Sequence, residues 1–97
     1  MVVTIDRRAV NEMKERILRV LGESGPWLLP LDIAREIDRR FPEKAGFLEM
    51  VLSAATVMIY NHFRREVVRR EAEKELVKEG RITSVLGGYQ LRAASNG

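Results

Sequence analysis

Apolar residues in the first part of the chain recur every three or four positions, as they do along one face of an α-helix. The repeat predicts an amphipathic helix that begins at Thr4 or Asp6 and ends near Leu21, where glycines at positions 22 and 25 stop the run. The residues that this helix would bury are Val10, Met13, Ile17, Val20 and Leu21.

A short apolar stretch and a second helical repeat follow. The letters GPWLLP, residues 25–30, place large apolar side chains between helix-breaking residues and predict a short strand, with Trp27 in the core. From Leu31 to about Arg40 the helical spacing returns, and Pro42 closes the helix. No residue before Leu31 is a good side-chain N-cap, which leaves the start of this helix open.

The middle of the chain, residues 47–79, contains neither proline nor glycine. As one helix, this segment would be about 50 Å long at 1.5 Å per residue, whereas a compact domain of this size is only roughly 32 Å across. Two outcomes are consistent with these lengths. Either the segment breaks, most plausibly around Asn61 and His62, or it protrudes and meets a partner.

The first half of that segment has almost no polar face. A helix that is apolar all round is buried all round, and in so small a protein one side can pack on the core while the other faces a second subunit. We therefore expect a homodimer. The residues expected at the subunit contact are Phe47, Met50, Val51, Ala54 and Met58.

The C-terminal part of the chain predicts a β-hairpin. The letters RITSVL and YQLRA alternate in polarity and are joined by Gly87 and Gly88, which tolerate the positive φ angles of a tight turn. In the expected register Leu86 pairs with Tyr89, Ser84 with Leu91 and Ile82 with Ala93, so that one face is mainly apolar. The other, outward face carries Arg81, Thr83, Val85, Gln90 and Arg92.

The composition limits the chain to one small domain with little chemistry of its own. Its 97 residues, 45% of them apolar, suffice for a single core, with residues 92–97 expected to form a loose tail. Without cysteine, with one histidine, and without a Gly-rich phosphate loop or metal-ligand spacing, the chain is expected to be no enzyme, to need no cofactor or metal, and to have no small-molecule substrate. No apolar run reaches the roughly 18 residues of a membrane span, which predicts a cytoplasmic protein. Many arginines beside few amides fit a thermophilic source.

The net charge of +3 is unevenly distributed along the chain. Residues 53–70 contain four arginines and one glutamate, and a second basic group lies near the C-terminus at Arg81 and Arg92. Such a distribution allows nucleic-acid binding without requiring it. The four arginines are Arg64, Arg65, Arg69 and Arg70.

The predicted order of helix, short strand, helix, further helix and hairpin with a glycine turn resembles the winged helix-turn-helix family. Three stretches carry the likeness: LLPLDIAREI (28–37) is similar to the strand and second helix, ELVKEGRI (75–82) to the end of the recognition helix, and GGYQL (87–91) to the return strand of the wing. The resemblance implies a mainly α fold with a small β-hairpin, an α+β winged helix-turn-helix with an extra apolar helix where the family has a short turn.

Two positions for the recognition helix remain open. Counting back from Gly80 places it at about residues 61–79, whereas SAATV at residues 53–57 also resembles the start of such a helix. We prefer the first position because it exposes Arg65 and Arg69 on one face. The residues that it leaves for the core are Val68, Ala72 and Leu76.

The resemblance implies a dimeric transcription regulator that binds double-stranded DNA, with the recognition helix in the major groove and the wing against the backbone or minor groove. Arginine suits this role because its planar guanidinium group binds phosphate and also pairs with guanine. The expected contacts are Asn61, His62, Arg64, Arg65, Arg69 and Arg70 on the helix and Arg81 and Arg92 on the wing.

Plainer structural roles compete with these assignments. Carboxylates such as Glu66 and Glu73 can neutralise Arg65 and Arg69, and His62 can pair with Glu66 one helical turn away. The function of the chain as a whole also has an alternative. It can be a winged-helix interaction module that joins a larger assembly through its apolar helix and touches no nucleic acid.

Overall fold

The computed structural model describes residues 6–42 and 54–92, which are mainly helical and include a small three-stranded antiparallel sheet. The coarse α+β prediction is therefore confirmed. In chain order the elements are α1 (Arg7–Ser24), β1 (Trp27–Leu28), α2 (Pro30–Arg40), α3 (Ala54–Lys78), β2 (Ile82–Val85) and β3 (Gly88–Leu91).

Part of the expected subunit contact falls outside this description. Phe47, Met50 and Val51, and with them most of the predicted extra apolar helix, lie outside the described residues. Ala54 and Met58 belong to α3, but their side chains are also outside what the structure describes. Only the residues that follow Met58 can therefore be compared with the predicted dimer contact.

Helix α1 forms over its predicted apolar repeat but continues through Gly22, three residues beyond the predicted end near Leu21. Asp6 is its N-cap, and the Asp6 carboxylate accepts a hydrogen bond of 3.0 Å from the backbone N–H of Arg8. The helix ends at Ser24, before Gly25. All five residues predicted for the core are buried: Val10, Met13, Ile17, Val20 and Leu21.

Helix α2 begins at Pro30, one residue earlier than predicted. Proline is well suited to the first helical position, where its missing N–H is not needed. The missing side-chain cap is supplied from inside the helix, because Asp32 accepts a hydrogen bond of 3.3 Å from the backbone N–H of Leu29. Ile33 and Ile37 then face the core.

Helix α3 runs without interruption through Asn61 and His62, so the predicted break at these residues is wrong. Neither residue type disfavours a helix by more than about 0.7 kcal/mol, and no proline or glycine is present to stop the helix. The 25 residues of α3 span about 37 Å at 1.5 Å per residue. The first of the two predicted outcomes, a break, is therefore not observed within residues 54–78, and the meeting with a partner stays a prediction.

The core lies where α1, α2, α3 and β2 meet. Helix α3 contributes Val68, Ala72 and Leu76, as predicted, and the hairpin contributes Ile82. Partly buried side chains complete it from the periphery: Ala9, Leu18, Leu28, Phe41, Tyr89 and Leu91.

The sheet has the strand order β1-β3-β2, and its hairpin register differs by two residues from the prediction. Ile82 pairs with Leu91 rather than with Ala93, and the two turn residues are Leu86 and Gly87, both with positive φ. Because the shift is two residues, every side chain keeps its predicted face. The prediction placed the turn one residue too late, but it assigned the inner and outer faces of the hairpin correctly.

The packing of Trp27 on Gly88 accounts for the observed register. Trp27 is on the outer face of the sheet, 39% exposed, so its predicted place in the core is wrong. Its indole N–H donates a 2.7 Å hydrogen bond to the Val85 carbonyl, and a Cβ on Gly88 would lie only 2.5 Å from a Trp27 ring carbon. Glycine is therefore needed under the ring, and the turn forms one residue earlier.

Replacing Gly88 by alanine is expected to displace the indole ring and to destabilise the protein by about 1–3 kcal/mol, because the new methyl group overlaps Trp27. Trp27 is the only tryptophan, so its fluorescence emission should shift to the red. Gly22→Ala is the control: its Cβ would lie at an ordinary 3.6 Å from the Leu91 side chain, and alanine in place of glycine should stabilise α1 by about 1 kcal/mol. An unchanged emission spectrum in Gly88→Ala would contradict this packing.

Ion pairs on the outside of the core join the end of α3 to α1. The Glu75 carboxylate accepts a 2.6 Å hydrogen bond from the Arg7 guanidinium group and lies 3.0 Å from the Lys14 ammonium group. Lys14 is also 2.8 Å from Glu79. The hydrogen bonds from Arg7 and then from Lys14 lower the pKa of Glu75 to about 2.

This ion-pair cluster predicts a specific acid sensitivity. The pKa of Glu75 in the folded protein lies below the unfolded value of about 4.3. Its contribution to stability is therefore fully present above about pH 4.3 and is lost as the pH falls toward 2. In thermal melts over this pH range, Glu75→Gln should flatten the pH dependence, whereas Glu12→Gln, on the exposed side of α1, should not. Parallel pH profiles for wild type and Glu75→Gln would refute the assignment.

Candidate nucleic-acid interface

Arg69, predicted as an exposed DNA contact, is buried, and the prediction of its exposure is wrong. Only 7% of the residue is accessible. Its guanidinium group bonds to Glu73 one turn later, which is 3% exposed, and lies 2.7 Å from a Glu66 oxygen. The plainer structural role considered from the sequence is the one observed.

The surroundings of Arg69 form a buried polar network beneath the sheet. Burial raises the pKa of Glu73, against the opposing effects of the Arg69 charge and of a hydrogen bond from the Tyr89 hydroxyl. Burial also lowers the pKa of Arg69, but the hydrogen bond to Glu66 and the nearby carboxylates outweigh it, and the net shift is upward. The Arg69 guanidinium group is therefore held charged by its partners and is directed away from solvent.

Arg65 is also engaged within the protein. Its side chain is 22% exposed, lies 3.0 Å from an Asp38 oxygen and donates a 3.2 Å hydrogen bond to the Phe41 carbonyl. These contacts attach the C-terminal end of α2 to α3. Two of the four predicted helix arginines thus have structural partners, and the expected exposure of Arg65 and Arg69 on one face is not observed.

Arg64 and Arg70 are exposed, as the sequence predicts. The Arg70 side chain is 77% exposed, and its guanidinium group is 3.9 Å from Glu66, at the limit of an ion pair. No ion pair involves Arg64 among the residues that the structure describes. These two arginines remain available to an external anion.

Two lysines that the sequence analysis did not select lie on the same side of α3. Lys74 and Lys78 are exposed and follow Arg70 at intervals of four residues. Each of these three residues comes two positions after a core residue, so it projects about 200° around the helix from that residue. We call Arg70, Lys74 and Lys78 the outward strip. Arg64 stands four residues before Val68 and is exposed on the side of α3 that faces α1.

The two lysines were missed because acidic neighbours obscured them. Pairing with Glu71 and Glu75 is the natural inference from the sequence, yet Glu75 bonds instead to Arg7 and Lys14 on α1. Neither Lys74 nor Lys78 has an ion pair within the described part of the chain. The sequence contains a signal that would have identified them. Arg70, Lys74 and Lys78 recur every four residues on the side of the helix opposite the core residues Val68, Ala72 and Leu76.

The wing arginines lie at the open end of the hairpin and not at its tip. The backbone N–H of Arg92 donates a 3.2 Å hydrogen bond to the Arg81 carbonyl, closing the end of the sheet next to α3. The Arg81 guanidinium group is 3.9 Å from Glu15 on α1. Both residues are exposed, but the tip itself, residues 85–88, carries no charge.

Asn61 and His62 lie within α3 beside a shallow cleft between this helix and α2. His62 is exposed and Asn61 is half-buried, and both line the cleft with Arg65 and Asp38. Burial raises the pKa of the neighbouring Glu66, but the hydrogen bond and charge of Arg69 outweigh it, and the net shift is downward. The cleft therefore contains both signs of charge and does not favour an anion as the outward strip does.

The first half of α3 carries a separate apolar surface. Ile59 is 72% exposed, and Tyr60 and Phe63 are each 61% exposed. Taking about 200 Å² for each large side chain, these three expose roughly 400 Å² of accessible surface. Patches of this size on small proteins often mark interaction sites. We call these three residues the apolar end of α3.

A scan of protein-family models gives no match to this chain, and no significant match is found among curated proteins or solved structures. Within the described residues, no helix is both long enough and apolar enough to cross a bilayer. No group of three or more histidine, aspartate or glutamate side chains in this part of the chain is arranged to hold a metal ion.

Proposed function

We propose that this chain is a winged-helix protein that binds double-stranded DNA and acts as a dimeric regulator of transcription. The order helix, strand, helix, helix, hairpin supports the proposal. So does the pairing of β1 with β3, which places the short first strand beside the return strand of the hairpin, as in the winged-helix arrangement. In this interpretation α3 is the recognition helix and the turn at Leu86 and Gly87 is the tip of the wing.

The observation that carries the proposal is the outward strip. Three basic side chains project from one side of the helix that precedes the hairpin. Two of the glutamates near them are engaged by other cations, Glu66 by Arg69 and Glu75 by Arg7 and Lys14. Phosphate contacts by lysine and arginine supply most of the affinity of a protein for DNA of any sequence. Arg70 can in addition pair with a guanine edge in the major groove.

A double substitution tests this surface against a matched control. Lys74→Ala with Lys78→Ala should weaken binding to a random-sequence duplex and make the log–log salt slope shallower by about 2, since each lysine contributes one phosphate contact. Arg8→Ala with Arg19→Ala removes the same charge from the exposed side of α1 and should have little effect. Equal losses of affinity in the two variants would show that only net charge matters and would contradict the proposed surface.

The homodimer is proposed to form through the apolar end of α3. Residues 54–63 contain no aspartate, glutamate, lysine or arginine, so two such segments can pack against each other without like-charge repulsion between these residue types. Phe63→Glu should convert a dimer to a monomer in analytical ultracentrifugation at micromolar concentration, while Glu12→Gln should remain dimeric. A wild-type protein that sediments as a monomer would refute this part of the proposal.

Exposed apolar residues near the sheet favour a second candidate, an interaction module of a larger assembly. In addition to the apolar end of α3, the described surface exposes 41% of Leu29, 59% of Leu31 and 91% of Leu86. A module of this kind would bind its protein partner with no dependence on DNA. Failure of the purified chain to shift any duplex at low salt would favour this candidate over the first.

A further inference from the structure

The hairpin tip has a feature that the fold does not require. Leu86 occupies the first central position of the turn with φ of 51°, the left-handed region that leucine rarely adopts. Gly87 follows with φ of 79°, which completes a turn in which both central residues have positive φ. Asparagine, aspartate or glycine is the usual first residue of such a turn.

The register explains the backbone of this turn but not the leucine. Val85 pairs with Gly88, so residues 86 and 87 form a two-residue hairpin turn, and in this turn type residue 86 has a positive φ whatever its side chain is. Leu86 is 91% exposed, so its side chain contributes almost nothing to the core. A residue that combines backbone strain with an exposed apolar side chain points to a role outside the folding of the chain.

The shape and polarity of the tip suit a narrow apolar groove. Gly87 and Gly88 have no side chains, which leaves Leu86 as a single projecting group at the end of the hairpin. Beside it, Trp27 and Leu29 expose part of their apolar surface, and residues 85–88 carry no charge. The minor groove of DNA is about 6 Å wide, and its walls are formed by the apolar faces of the sugars.

We propose that Leu86 enters the DNA minor groove and wedges between two base pairs, which bends the duplex. The inference rests on the DNA-binding function proposed above and assigns a distinct role to the wing tip. Proteins that kink DNA from the minor groove insert leucine and other apolar side chains between base steps. The outward strip holds the phosphates, and the uncharged tip acts on the base stack.

The left-handed backbone makes a sharp test possible. Asparagine and glycine accept this conformation better than leucine does, so Leu86→Asn should raise the melting temperature by a few degrees while it removes the wedge. The bend is measured by energy transfer between dyes at the two ends of a short duplex, with affinity measured in parallel. We expect Leu86→Asn to abolish most of the bend and to weaken binding about tenfold.

Two further variants act as controls. Leu86→Met keeps a flexible apolar side chain and should retain the bend, and Leu31→Asn, at another exposed leucine, should retain both the bend and the affinity. If Leu86→Asn bends the duplex as wild type does, the wedge is overturned while DNA binding stands. If wild type binds no duplex at all, the DNA-binding function and the wedge fail together.

Discussion

Replacing Arg69 by alanine is expected to destabilise the protein by about 3–5 kcal/mol, because the change leaves the buried Glu73 carboxylate without its cationic partner. Chemical denaturation followed by circular dichroism measures this loss directly. The effect should appear in the absence of any nucleic acid. It is one of the two largest effects that we predict for a single substitution in this chain.

Arg70→Ala is the matched control, because Arg70 is the next residue but lies mostly in solvent. It should change the free energy of unfolding by no more than about 0.5 kcal/mol while weakening DNA binding. Replacing the buried pair together, Arg69→Met with Glu73→Leu, should recover most of the lost stability, since no charge is then left uncompensated. A stable Arg69→Ala protein that had lost only its affinity for DNA would show instead that Arg69 is a DNA contact.

The second large effect is expected at Leu76, where α3 packs on α1 and the sheet. Leu76 is completely buried, and its replacement by alanine should destabilise the protein by about 2–5 kcal/mol through lost burial and the cavity that remains. Val77→Ala, at the next and partly exposed position, should have a much smaller effect. Similar losses in the two variants would mean that the register of α3 on the core is wrong.

Much of the fold follows from periodicity in the sequence. The repeat in α1 predicts all five of its main core residues, and the repeat at Val68, Ala72 and Leu76 predicts which side of α3 is buried. These predictions hold because burial of apolar surface is the largest favourable contribution to folding and acts wherever the repeat occurs. The inner and outer faces of the hairpin are predicted correctly for the same reason.

Contacts between residues distant in the sequence account for what could not be predicted. The hairpin turn depends on Trp27, which lies about sixty residues before Gly88 and leaves no space for a side chain there. Neither the turn propensities of residues 86–88 nor the alternation of apolar and polar positions in the hairpin gives information about that contact. A pair of adjacent glycines therefore indicates a turn in general, while the long-range contact decides which residues form it.

The basic surface illustrates the same limit. Arg65 and Arg69 were expected to be exposed, yet both lie on the core side of α3, within about 60° of Ala72 around the helix, and each is engaged by a carboxylate, from α2 and from α3 respectively. Lys74 and Lys78 look neutralised by nearby glutamates, yet Glu75 is bound by α1. Partner choice among charged side chains is set by tertiary packing, so the sequence predicts that α3 is basic but not which of its cations are available.

The most direct test of the proposed function is the affinity of the wild-type chain for a random-sequence duplex, measured by fluorescence anisotropy between about 50 and 200 mM salt. Three phosphate contacts from the outward strip predict a log–log slope of about −3. Binding that is independent of salt, or no binding at the lowest salt concentration, would contradict the proposal that this chain is a DNA-binding protein.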